Sequence, residues 1–142
     1  MNKNKIELSF LATSQNESFA RVTVAAFVAH LNPTVAEITE IKTAVSEAVT
    51  NAIIHGYEGM DGENMVRMTC RIEDNEITIE ISDSGKGIDD IDQAREPLYT
   101  SKPEMERSGL GFTVMEEFMD AMEIVSQAGA GTTIVLRKIL SQ

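Results

Sequence analysis

Between Ile38 and Gly56 the chain reads ITEIKTAVSEAVTNAIIHG. Ile38, Ile41, Val45, Ala48, Val49, Ala52 and Ile53 recur at the three- and four-residue spacing of one helix face. Such a stripe demands a long helix laid on an apolar surface, and the rest of the chain has to supply that surface. Beside the stripe, Glu47, Asn51 and His55 stand four residues apart and form a second column. Asn is unfavourable inside helices, because its amide competes with the backbone for hydrogen bonds. Its place beside buried apolar neighbours points to something for its amide oxygen to coordinate, with Glu47 one turn earlier to act on what is held. Over these residues alone, an ordinary amphipathic helix reads the same.

Alternation supplies the surface. Lys5–Leu11 places Ile6, Leu8 and Phe10 on one side, as a half-buried strand does. Ser14 to Asn16 offer caps for a helix running to about Leu31, with Phe19, Val22, Ala26 and Ala29 predicted to face inward and Arg21 outward. Asn32-Pro33 predicts the start of the central helix, and a capping box of Thr34 with Glu37 is the alternative start. After the glycine-containing loop YEGMDGEN, Val66–Ile72 and Ile77–Ile81 alternate as two strands about an Asp74-Asn75 turn. A short helix over Asp89–Glu96, an irregular segment from Pro97 and a helix from near Gly109 through Met119 follow. Strands near Glu123–Gln127 and Thr132–Leu140, joined by AGAG, close the chain. This order predicts a single α+β domain over residues 1–142, a two-layer α/β sandwich with helices on one face of one sheet. Strand order and direction do not follow from periodicity.

Chemistry-bearing residues fall where strands end or helices begin. Asp83 closes a strand and is followed by Gly85 and Gly87, so a carboxylate is presented where the backbone turns close to a ligand. A carboxylate only accepts hydrogen bonds, which suits an exocyclic amine such as that of adenine. Gly109 and Gly111 open a helix whose free N–H groups suit a phosphate. Gly131-Thr132-Thr133 brings a hydroxyl to the start of a strand. Lys102 and Arg107 stand before the phosphate-suited helix start, and Arg107 is favoured for its planar fork of donors. Each element alone is also the stuff of ordinary turns and hinges.

Composition narrows the classes. A formal charge of −11 argues against a nucleic-acid surface and suits a basic protein partner or simple solubility. Cys70, the only cysteine, excludes an internal disulfide, reads as core and fits a cytoplasmic setting. No leader and no apolar run of membrane-spanning length is apparent, so no membrane attachment is expected. His30 and His55 are too few and too far apart for a zinc site.

Taken in this order, the elements resemble the Bergerat-type ATP-binding fold shared by gyrase, Hsp90, histidine kinases and mismatch-repair ATPases, the GHKL family, with its mixed sheet. Glu47, Asn51, His55 and Gly56 look like its N box, Asp83, Gly85 and Gly87 its first glycine box, and Gly109 with Gly111 its second. Thr132 lies in its final threonine motif. The resemblance implies that Asn51 ligates Mg²⁺ on the phosphates of ATP or ADP, that Asp83 reads adenine, and that Glu47 acts as base. Nearly the whole chain also resembles the anti-sigma-F serine kinases of sporulating bacilli, over SFARVTVAAFVAHLNPT, VSEAVTNAIIHGY and EPLYTSKPEMERSGLGFTVMEEFMD. That resemblance implies a homodimer that holds a sporulation sigma factor inactive and phosphorylates a serine of an anti-anti-sigma protein with ATP. The general-stress anti-sigma kinases share the motifs, and a sigma-binding clamp without significant kinase activity is the alternative from another class.

Overall fold

In the computed structural model, which describes residues 3–57, 62–88, 90–96 and 111–141, the alternating segments form one five-stranded sheet. Its strands are β1 (Lys3–Leu11), β2 (Met65–Glu73), β3 (Glu76–Asp83), β4 (Ala121–Gln127) and β5 (Gly131–Ile139), in the order β1-β2-β3-β5-β4. All four pairings are antiparallel, so the sheet expected as mixed carries no parallel pair among the described residues. Register follows the pleat. Ile6, Leu8 and Phe10 lie opposite Cys70, Met68 and Val66, and Ile81, Ile134 and Ile124 form one row across three strands. These side chains build the core, where Cys70 is buried and its thiol is pushed up to about 12 by desolvation. The opposite face carries the polar half of the alternation, including ion pairs of Arg71 with Glu80 and Arg137 with Glu123.

The helices cover the apolar face. α1 (Ser14–Val28), continued by the 3₁₀ turn Ala29–Leu31, packs against α2 (Val35–Asn51), and α2 packs in turn against α4 (Gly111–Phe118). The short α3 (Ile91–Ala94) is capped by Asp90, within the span expected for it. Of the predicted stripe, Ile41, Val45, Ala48, Val49 and Ala52 are buried and Ile38 and Ile53 partly so, and Ala44, outside the predicted set, is buried with them. Thr34 and Glu37 form the capping box. Thr34 Oγ1 accepts the Glu37 amide at 3.0 Å, and Glu37 Oε1 accepts the Thr34 amide at 2.8 Å. The alternative start therefore applies, and Asn32, with φ 54°, instead ends the preceding 3₁₀ turn in the left-handed region.

α1 corrects the sequence reading. Its buried residues are Ala20, Val24, Phe27 and Val28, whereas Phe19 and Val22 are 56% and 60% exposed and Ala26 and Ala29 also face out. Arg21, expected to be exposed, is half-buried and pairs with Glu17 at 3.7 Å. Both faces of this helix carry apolar residues at helical spacing, so periodicity finds two stripes. Only the packing against α2 selects the inner one.

Candidate functional site

The end of α2 is where the local sequence stops behaving as a regular helix. After Asn51 the backbone widens into a π turn over Ala52–Gly56, a feature frequent at functional sites. His55 therefore does not continue the four-residue column of Glu47 and Asn51 as an α-helix would. The π turn packs on the ends of β3 and β5 and brings Gly56 to Asp83. A Cβ on Gly56 would lie 2.8 Å from the Asp83 Cγ, so the carboxylate occupies the room a side chain would need.

Asp83 is half-buried at the last position of β3. Its Oδ1 accepts the Gly85 amide at 2.9 Å, and the Thr132 amide donates to the same carboxylate. Burial pushes the Asp83 carboxyl above its ordinary value, and these two amides pull it back only in part. The loop beyond is locked to the π turn: the Lys86 amide donates to the Gly56 carbonyl at 2.7 Å. A Cβ on Gly85 would sit 1.7 Å from that same oxygen, which leaves glycine as the residue the approach admits. Gly131 is required for a second reason. Its φ of +89° is left-handed, and a Cβ there would lie 2.1 Å from the Asp83 carbonyl. Gly87 abuts the backbone of Gln127.

Thr132 is buried directly opposite Asp83 in the β3–β5 register. Asn51 and Glu47 are half-buried one turn apart on α2. The Asn51 Nδ2 is enclosed and has no hydrogen-bond partner among the described residues. A half-turn of the amide brings Oδ1 to the same position, so this end of α2 offers either a donor or an acceptor. Gly111 is buried at the first residue of α4, and α4 lies beside α2. Gly56, Asp83, Gly85 and Thr132 are thus brought together, with Asn51 on the adjoining turn. Lys102, Arg107 and Gly109 lie outside the described residues.

Two site residues escaped the sequence reading. Tyr57 Oη accepts the Ser84 amide at 2.8 Å and donates to the Met65 carbonyl at 2.5 Å, tying the two strands beside the site. Nothing in the sequence marks it. Ser126 bonds Ile88, Gly131 and Thr132, and its signal was a lone hydroxyl after Met122 and Ile124 on the inward side of β4.

Comparison with known proteins matches residues 10–138 to the histidine kinase-like ATPase domain. The chain is 58% identical to the anti-sigma F factor of Clostridium beijerinckii over 138 residues, covering 97% of this chain and 96% of the relative. It is 59% identical to that of Bacillus thuringiensis over 139 residues, covering 98% and 94%. Among solved structures, the RsbU and RsbW domains of a Mycobacterium tuberculosis protein superpose with TM-score 0.71 at 19% identity, covering 98% of this chain and 33% of that one. A histidine kinase domain from Erythrobacter litoralis superposes with TM-score 0.58 at 16% identity, covering 89% and 61%. At such identities the two structures speak for the fold alone.

Proposed function

The chain belongs to the histidine kinase-like ATPase domain family and, within it, to the anti-sigma F factors, and on that premise we propose that it binds and inhibits a sporulation sigma factor and uses Mg-ATP to phosphorylate a serine of an anti-anti-sigma protein. The observation that carries this reading is the enclosed Asn51 Nδ2, which has no partner among the described residues, on the turn adjoining the Gly56–Asp83–Gly85 cradle. A buried polar group without a partner is unfavourable by about 1–3 kcal/mol, so a ligand that satisfies it gains that much. The residues present fit a metal–nucleotide: one neutral oxygen donor, an acceptor-only carboxylate and backbone without side chains around it. Bound Mg-ATP supplies the phosphoryl group and the charge that draws electrons from it.

The chain's own residues do the rest. Asp83 accepts from the adenine amine, with Gly85, Gly87 and Thr132 forming the walls around the base. Asn51 offers Oδ1 to the metal. Gly109 and Gly111 would offer amides to the phosphates, and Lys102 or Arg107 would neutralise the terminal one. Glu47 holds the proton of the substrate serine at its carboxylate while that oxygen attacks.

The partner assignments extend from the same premise. The protein is proposed to act in the cytoplasm, and no helix among the described residues is long and apolar enough to cross a membrane. The outward stripe of α1, with Phe19, Val22 and Ala26, supports self-association as a homodimer.

The test is to recover the protein with its partners from its own cell and to add Mg-ATP labelled on the γ-phosphate. Label is expected on a serine of one partner, and Asn51→Ala is expected to abolish both labelling and Mg²⁺-dependent ATP binding. Sigma-factor binding with no transfer to any partner would replace the kinase by an ATP-gated clamp.

A further inference from the structure

The row of side chains at the site end of the sheet changes character from the row beneath it. Ile81, Ile134 and Ile124 lie side by side on β3, β5 and β4, and two residues on, Asp83, Thr132 and Ser126 do the same. Ser126 Oγ meets three polar groups. The Ile88 amide donates to it at 2.7 Å, the Gly131 carbonyl lies at 3.1 Å, and Thr132 Oγ1 lies at 2.8 Å. A serine hydroxyl has one proton. The Gly131 carbonyl can only accept, so the Ser126 proton serves it, and the Thr132 proton must then serve Ser126. The reverse assignment leaves one of the three contacts without a hydrogen. With all three satisfied, Thr132 Oγ1 retains only lone pairs for the space beside Asp83.

We propose that Ser126 is a positioning residue that sets the purine selectivity of the nucleotide site, by taking the Thr132 proton and making Thr132 and Asp83 a pair of acceptors. This rests on the nucleotide-binding reading above. Two acceptors side by side suit a 6-amino purine, whose exocyclic nitrogen carries two hydrogens, met directly or through a water. They discriminate against a 6-oxo purine, whose O6 is itself an acceptor and whose N1–H offers one donor in place of the amine's two. The same serine holds the loop after Asp83, through Ile88, against the start of β5, so the two halves of the pocket wall share one hydroxyl.

The experiment is calorimetric titration of the full chain, with Mg²⁺, by ATP and by inosine triphosphate, which differs at the 6-position. The wild type is expected to favour ATP. Ser126→Ala frees the Thr132 hydroxyl to turn and donate, and is expected to narrow the ATP-to-inosine triphosphate ratio by about five- to tenfold, the scale of one hydrogen bond. Ser126→Thr keeps the hydroxyl and is expected to keep the ratio. Ser126→Cys, which preserves volume but bonds weakly, makes the comparison if the alanine variant does not fold. Equal weakening of both nucleotides in Ser126→Ala, or no change in either, would overturn the assignment. A wild type that binds neither nucleotide would overturn the nucleotide-binding reading itself, and this assignment with it.

Discussion

The carbonyl oxygen of Gly56 lies where a side chain on Gly85 would begin, 1.7 Å from an added Cβ. The same oxygen accepts the Lys86 amide at 2.7 Å, so the end of the central helix and the loop after Asp83 are joined directly. Gly85→Ala has to separate them, at about 1–3 kcal/mol or more for overpacking against backbone. Gly129→Ala is the control, since it meets nothing within 4 Å and carries only the strain of its φ of +80°, about 1–2 kcal/mol. Thermal melts should show both variants destabilised, and ATP titration should show affinity lost in Gly85→Ala alone. Unchanged ATP affinity in a folded Gly85→Ala protein would detach this junction from the site.

Asp83 has its pKa raised, chiefly by burial. A carboxyl whose folded pKa exceeds its unfolded value binds a proton more readily when folded. Its contribution to stability is full below the ordinary value of 3.8 and is lost as pH rises through the folded value. ATP binding runs the other way, because the adenine amine needs the ionised acceptor, so affinity should fall as pH drops through that window. Asp83→Asn should bind ATP about 1–3 kcal/mol more weakly. The variant should also lack the wild type's loss of stability with rising pH. Parallel pH–stability curves for the two proteins would contradict the buried-carboxylate account.

Glu47 and Asn51 stand one turn apart on α2, which puts the carboxylate beside the proposed metal site without requiring it to ligate. Glu47→Gln keeps the size and the helix propensity and removes the proton acceptor. The variant should fold, bind ATP and hold the sigma factor, while phosphoryl transfer slows by about a hundred- to ten-thousandfold. Single-turnover transfer at the wild-type rate would show that Glu47 is not the base.

Phe19 and Val22, more than half exposed on α1, are expected to be covered in a homodimer. Phe19→Asp with Val22→Asp puts two charges on that stripe, where an unpaired charge is strongly unfavourable once desolvated. Sedimentation should then find a monomer, and its melting temperature should lose the dependence on protein concentration that a dimer shows. A variant that still sediments as a dimer would move the interface elsewhere on the surface.

Much of this protein was legible one residue at a time. The period of Ile38 to Ile53 determined the central helix, and strict alternation determined the strands and which of their faces lies inside. Local hydrogen-bond chemistry determined that Asp83 would be presented between a strand end and a glycine turn. These are properties of short segments, where side-chain spacing alone sets what can be buried. The tertiary structure decided the rest. α1 offered two apolar faces, and only its packing against α2 chose Ala20 and Val24 over Phe19 and Val22. The antiparallel order β1-β2-β3-β5-β4 decided that Thr132 and Ser126, far from Asp83 in the chain, would stand beside it in one row. Pairing between distant segments is set by how whole faces fit together, and no local pattern carries that information.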